Sequence, residues 1–218
     1  MNETSSRLDW KTKSTDRFIL KWIKCRLSAR ITPKLAPVAW LRPWMVTLAS
    51  AGLGVLAGLM FALELAFVAG LTAALSQILD GVDGQLARLT GKESNVGAFM
   101  DSVVDRYADG AMVIGLVVYL ARLQVFCSLW PLLVVGAFAI VGSSLISYSS
   151  ARAESLGIEL GKPTLASKGT RVSVMALSGL FAPLWHPLPV LALFYLAMHS
   201  NIVVVKRLLQ AFREAEMQ

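Results

Sequence analysis

Five of the chain's seven aspartates fall within residues 80–109: Asp80, Asp83, Asp101, Asp105 and Asp109. They sit in or beside apolar stretches, where an unpaired carboxylate costs at least ~2.5 kcal/mol, so each must face a partner or a polar cavity. Asp80 and Asp83 are three residues apart and Asp101 and Asp105 four, so on helices each pair shares a face. Two antiparallel helices joined by a short loop over residues 89–96 would bring the pairs together. Four converging carboxylates repel one another unless cations neutralise them. An all-oxygen donor set suits magnesium or manganese better than zinc, and no Cys/His cluster offers another metal site. The competing reading is ion pairing with Arg88 and Arg106, which accounts for two of the five carboxylates.

Gly81, Gly84, Gly97 and Arg88 surround these aspartates. Glycine in a helix costs ~1 kcal/mol relative to alanine, so it needs a reason. One reason is close packing of membrane helices. The other, at Gly84, is room for a ligand to approach the backbone while Arg88 clamps a phosphate.

The elements that must position these residues are set by composition. Hydrophobic residues make up 56% of the 218 and charged residues 16%, against roughly 45–50% and about 25% in a typical globular chain. The mean hydropathy is +0.61. So apolar a chain is not disordered. Two cysteines, Cys25 and Cys127, make no disulfide scaffold. The net charge of +7 could suggest nucleic acid, but ten of the 21 Lys and Arg residues precede position 43, ahead of the first long apolar segment. That placement marks a cytoplasmic flank and attraction to anionic lipid, not a nucleic-acid surface.

Three regions follow. Residues 1–14 are polar, without the apolar core of a signal peptide. Residues 15–33 carry Phe18, Ile19, Trp22, Ile23, Leu27 and Ile31 at helical spacing, with Arg17, Lys21, Lys24 and Arg30 mostly opposite. This is expected to be an amphipathic helix lying in the membrane interface, the alternative being one packed on the protein. Thr15 or Asp16 caps its start and Pro33 follows its end. Residues 34–218 form an all-α transmembrane domain with six candidate spans at 43–62, 66–86, 97–120, 126–150, 171–186 and 188–205, each near the ~20 apolar residues a crossing needs. Pro183, His186, Pro187 and Pro189 divide the last two. After spans one, three and five only Arg122 is basic. The asymmetry predicts that both termini and the aspartates face the cytoplasm. His186 and His199 read as structural.

Residues 80–105 spell DGVDGQLARLTGKESNVGAFMDSVVD, that is D-x-x-D-G-x-x-A-R, eight residues, then G-x-x-x-D-x-x-x-D. This resembles the signature of the CDP-alcohol phosphotransferase family without gap or substitution, and the span layout and amphipathic N-terminal helix are similar too. The resemblance implies transfer of a substituted phosphate from a CDP-alcohol, often the lipid CDP-diacylglycerol, to the hydroxyl of a second alcohol, with release of CMP. It implies that Asp80, Asp83, Asp101 and Asp105 hold two divalent ions (Mg2+ or Mn2+), and that Asp105 is also the general base. It places Gly84, Ala87, Arg88 and Gly97 at the cytidine diphosphate, and it implies a homodimer. The chemistry is coherent on its own terms. Two metals about 3.5–4 Å apart stabilise the attacking and leaving oxygens, and a carboxylate at their edge removes the acceptor's proton.

One departure stands at the first span, where the family often has Pro-Asn followed by a threonine. Here Pro43 is followed by Trp44, and Thr47 remains to meet the nucleotide. The loop over residues 148–174 bears on the acceptor. Relatives using a phosphorylated inositol tend to show Tyr-x-Lys-Ala-Arg-Ala-Glu here. Tyr148, Ala151, Arg152, Ala153 and Glu154 match, and Ser150 replaces the lysine. Arg152, Lys168 and Arg171 then suit an anionic acceptor, inositol phosphate first. Glycerol phosphate, serine and an uncharged alcohol stay open, as does the reading of these cations as ordinary positive-inside residues.

Two other functions compete. An ion-coupled transporter would also place aspartates in the membrane, yet spans four to six carry no counterpart acids. An aspartate-rich membrane prenyltransferase also uses magnesium and a diphosphate. It usually carries its two acidic motifs in separate halves of the chain, whereas here both lie within 26 residues.

Overall fold

In the computed structural model, residues 22–158 and 167–216 are described. The polar segment 1–14 and the start of the amphipathic helix, with Thr15, Asp16, Phe18 and Ile19, lie outside the described residues. A π-helical turn, Lys24–Ser28, leads into α1 (Ala29–Leu35). Six further helices follow: α2 (Pro43–Ala62), α3 (Ala66–Leu89), α4 (Asn95–Arg122), α5 (Leu129–Leu156), α6 (Lys168–Phe181) and α7 (Leu188–Glu216). The described residues contain no strand.

The six helices fall on the six expected apolar segments, with altered ends. α2 starts at Pro43, whose missing N–H costs nothing in a first turn. α3 runs on to Leu89 and stops where Gly91 takes a left-handed φ of 64°, a conformation glycine adopts without strain. α4 starts at Asn95 because the Ser94 side chain caps it, accepting from the Gly97 N–H at 3.0 Å.

Two expectations need correcting. Pro33 does not follow α1 but stands inside it, since the Ala36 N–H still reaches the Thr32 carbonyl at 2.9 Å and closes the turn around the proline. The fifth segment, expected over 171–186, is helical over Lys168–Phe181. The turn after it holds Pro183 and Pro187, which have no N–H, while Ala182, Leu184, Trp185 and Leu188 donate to carbonyls within the turn or the end of α6.

By length and apolar character, α2, α5 and residues Leu188–Arg213 of α7 qualify as membrane-crossing. α3 and α4 are long enough at 24 and 28 residues but carry the aspartates. Large apolar side chains such as Leu59, Phe67, Phe138 and Leu191 point outward, as expected where the surrounding solvent is lipid.

Small residues hold the bundle together. α2 packs on both α3 and α4, α3 on α6, and α5 on α7. At the α2–α4 crossing a Cβ on Gly115 would fall 2.0 Å from the Gly58 carbonyl oxygen, so the two backbones touch. In lipid, where apolar surface gains little by leaving its surroundings, such close approach is what drives helix association. Phe61, Met112, Leu116 and Leu120 fill the space around it. Outside the bundle, Ile31 and Leu35 of α1 pack beside Val82 and Leu86 of α3. The Thr32 hydroxyl donates to Gln85 Oε1 at 2.8 Å and the Ser28 hydroxyl to the Ile78 carbonyl at 2.8 Å. The described part of the amphipathic helix is therefore packed on the protein, while Trp22 remains exposed.

Candidate active site

The site is built where α3, α4 and α6 meet. One carboxylate oxygen each from Asp80, Asp101 and Asp105 lies within 4.8 Å of the others. This set is all oxygen, and its compactness fits a hard divalent cation. When bound, such an ion would polarise a phosphoryl oxygen and neutralise charge on a leaving phosphate.

Asp83, expected in the same ligand set, lies outside that group of three. Its Oδ2 accepts from the Thr47 hydroxyl at 2.7 Å, and it feels the charges of Asp80 and Asp101. Thr47, expected at the nucleotide, is buried here and orients Asp83 across the α2–α3 interface.

The cation at the centre of the cluster comes from the protein. The Lys168 ammonium donates to Asp80 Oδ1 and to Asp105 Oδ1. It is held there by Gln77, one turn before Asp80. The Gln77 side chain donates to the Gly169 carbonyl at 2.8 Å and accepts from the Ser173 hydroxyl at 3.1 Å, clamping the first turn of α6 against α3. Sequence reasoning missed Gln77. Its signal was a polar residue three positions before Asp80, on the same helical face. Arg106 adds a second cation, its Nη2 3.8 Å from Asp105 Oδ2.

On α3, Gly84 is open in a way Gly115 is not. A Cβ there would meet only the Arg88 guanidinium, at 3.5 and 3.8 Å. Among the described residues no packing requires glycine at that point, and the open backbone runs beside Ala87 and Arg88, both half-buried. Gly97 is different, because its N–H belongs to the Ser94 cap.

The expected acceptor cations separate. Lys168 lies among the carboxylates. Arg171, one turn on, is buried and donates to Asp109 Oδ2 at 2.6 Å. Asp109 therefore pairs with Arg171 and not with Arg106. Arg152 is exposed near the end of α5. Arg207, near the C-terminus, reaches back from α7 to α5 and donates to the Ile146 carbonyl, Ser149 Oγ (2.7 Å) and Ser150 Oγ (2.9 Å). Arg171 is its charged neighbour. A guanidinium thus reaches the position where Ser150 replaces the expected lysine.

A model of the CDP-alcohol phosphatidyltransferase family matches residues 40–206. The chain belongs to the CDP-alcohol phosphatidyltransferase family. The archaetidylinositol phosphate synthase of Pyrococcus horikoshii is 30% identical over 86% of this chain and 92% of its own length. The phosphatidylinositol phosphate synthase of Mycobacterium tuberculosis, solved with CDP-DAG bound, superposes with a TM-score of 0.74 at 27% identity, over 86% of this chain and 94% of that one. A second structure of that synthase, in complex with manganese and citrate, gives the same TM-score and identity over 85% and 88%. As a CDP-alcohol phosphatidyltransferase the chain is a membrane-integral transferase of phospholipid synthesis. Membership displaces both the transporter and the prenyltransferase readings.

Proposed function

We propose that this chain transfers the phosphatidyl group of CDP-diacylglycerol, or of a closely similar CDP-lipid, to a hydroxyl of inositol phosphate and releases CMP. The observation that carries the reading is the carboxylate cluster of Asp80, Asp101 and Asp105 with Lys168 in its midst and the Arg171–Asp109 pair one turn away. The names of its relatives and the CDP-DAG and manganese in the M. tuberculosis synthase support it.

Asp80, Asp101 and Asp105 hold one divalent ion, Mg2+ or Mn2+, and Asp83 contributes to a second. The diphosphate lies along the open backbone at Gly84, with Ala87, Arg88 and Gly97 at the nucleotide and Thr47 acting through Asp83. The acceptor oxygen forms a bond to the phosphorus that carries the diacylglycerol, the bond from that phosphorus to the CMP oxygen breaks, and the hydroxyl proton passes to the Asp105 carboxylate. Lys168, Arg171 and Arg207, with Arg152 at the rim, give the acceptor phosphate its positive surroundings. Six helices cross the membrane, with both termini and the site on the cytoplasmic side, and the protein works as a homodimer.

The test is CMP release by the purified protein with CDP-diacylglycerol and Mg2+ or Mn2+, across inositol phosphate, glycerol phosphate, serine and inositol. Release that depends on inositol phosphate and vanishes with chelator is the expected result. Release with a different acceptor alone overturns the acceptor assignment. No release with any acceptor overturns the donor.

A further inference from the structure

Three buried polar atoms at the contact of α4 and α5 have no hydrogen-bond partner among the described residues: Arg106 Nε, Asp109 Oδ1 and Ser143 Oγ. Their residues line one cavity of about 10 Å³ together with Gly110 and the exposed Ser144, and Val113 and Ile140 wall its apolar side. Asp109 and Ser143 are each only 5% exposed. A buried polar group left unsatisfied is costly, so three on residues that line the same small space call for a common occupant.

The chemistry of the three atoms narrows what that occupant is. The guanidinium Nε only donates, the carboxylate oxygen only accepts, and the hydroxyl does either. A cation is disfavoured by Arg106 and an anion by Asp109. A neutral molecule that accepts from one side and donates to the other satisfies all three, and the space admits about one water molecule.

We infer that a single ordered water bridges Arg106 Nε, Asp109 Oδ1 and Ser143 Oγ, and that through it Ser143 is a positioning residue for Arg171. Asp109 has two oxygens. One takes the Arg171 guanidinium at 2.6 Å, and the water holds the other, so the carboxylate is fixed at both ends. The chain then runs from Asp105 through Arg106, the water and Asp109 to Arg171, joining the general base to a cation of the acceptor site. Ser143 ties that chain to α5. The positioning role rests on the acceptor reading proposed above; the water does not.

The water is sought in an experimental structure of the full-length protein at a resolution that shows ordered solvent. Density within hydrogen-bond distance of all three atoms is expected. A dry cavity, or Arg106 turned to donate directly to Asp109, overturns the inference. Two variants then test the positioning role. Ser143→Ala removes one partner and leaves the space, and Ser143→Val fills it and expels the water. For Ser143→Ala, the KM for inositol phosphate should rise about fivefold, the worth of one hydrogen bond, with kcat and the KM for the CDP-lipid unchanged. Ser143→Val should raise it further, and should it not fold, the alanine variant carries the test. An unchanged acceptor KM, or an equal rise in both KM values, overturns the role of Ser143. If the wild type releases no CMP with inositol phosphate, the acceptor assignment and the positioning role built on it fall, while the density still decides the water.

Discussion

The two halves of α4 face different demands. From Asn95 to Asp109 the helix leaves Val96, Phe99 and Tyr107 at 70–77% exposure and carries Asp101 and Asp105. From Met112 to Leu120 it is packed against α2, and Met112, Leu116 and Leu120 are essentially sealed. The first half leaves one face exposed and presents like charges to one another on the other, where Asp105 and Asp109 are buried. The second half supplies the fixed crossing that keeps those charges in register. Chemistry and stability thus occupy successive turns of one helix, and substitutions should separate them.

The largest effect belongs to Asp105→Asn. Losing a general base should lower CMP release by about 10²–10⁴-fold, while the melting temperature in detergent stays near that of the wild type. A variant that keeps its activity would place the base elsewhere. Next is Gly115→Val in the packed half. Its Cβ would collide with the Gly58 carbonyl, where the two backbones already touch. Overpacking of this kind costs about 1–3 kcal/mol or more. A clear drop in melting temperature, with activity lost only in proportion to folded protein, is the expected outcome; an unchanged melt would show that the crossing is not what sets stability.

Asp101→Asn sharpens the contrast from the other side. With chelator present, relief of like-charge repulsion should leave its melting temperature equal to or above the wild type's. Added Mn2+ should raise the wild type more than the variant. Equal responses to Mn2+ would remove Asp101 from the ligand set. The smallest effect is that of Gly84→Ala. Its Cβ lands at ordinary contact distance from Arg88, and alanine favours a helix by ~1 kcal/mol, so stability should hold or rise. The KM for the CDP-lipid should increase on the order of tenfold, as when a binding pocket is altered by one methylene. A fall in stability with unchanged KM would make Gly84 a packing glycine like Gly115.

Spacing on two helices and the short 90–94 loop that makes α3 and α4 antiparallel were enough to bring Asp80, Asp101 and Asp105 together, though the same spacing also predicted Asp83, which lies outside that group. The start of α2 at Pro43 and of α3 at Ala66 was legible for similar local reasons. What the sequence withheld was which cation meets which carboxylate. Asp105 and Lys168 are 63 residues apart, Asp109 and Arg171 62, and Gln77 and Ser173 96. No periodicity links partners that meet only when α6 docks on α3. Arg207 was hidden for the same reason. Beside the C-terminal basic residues it looks like a topology signal, and only the pairing of α5 with α7 brings it to Ser149 and Ser150. Hydropathy alone also put the end of the fifth segment at residue 186, since the apolar residues after Phe181 continue through a turn that is not helical.

That turn bears on the membrane itself. With six crossings, the 14 residues of α6 rise only about 21 Å, some 9 Å short of a hydrocarbon core of ~30 Å. On that topology the bilayer would thin or its lipids tilt beside this helix, which would draw the 182–187 turn below the level of the headgroups. An irregular backbone is costly there unless its polar groups are satisfied. Two prolines without N–H groups, and donors at Ala182, Leu184, Trp185 and Leu188 that are already engaged, reduce that cost, while the His186 side chain remains a polar group at the turn. On the six-span topology proposed above, the leaflet opposite the active site would be dented beside α6, and thicker membranes should resist it.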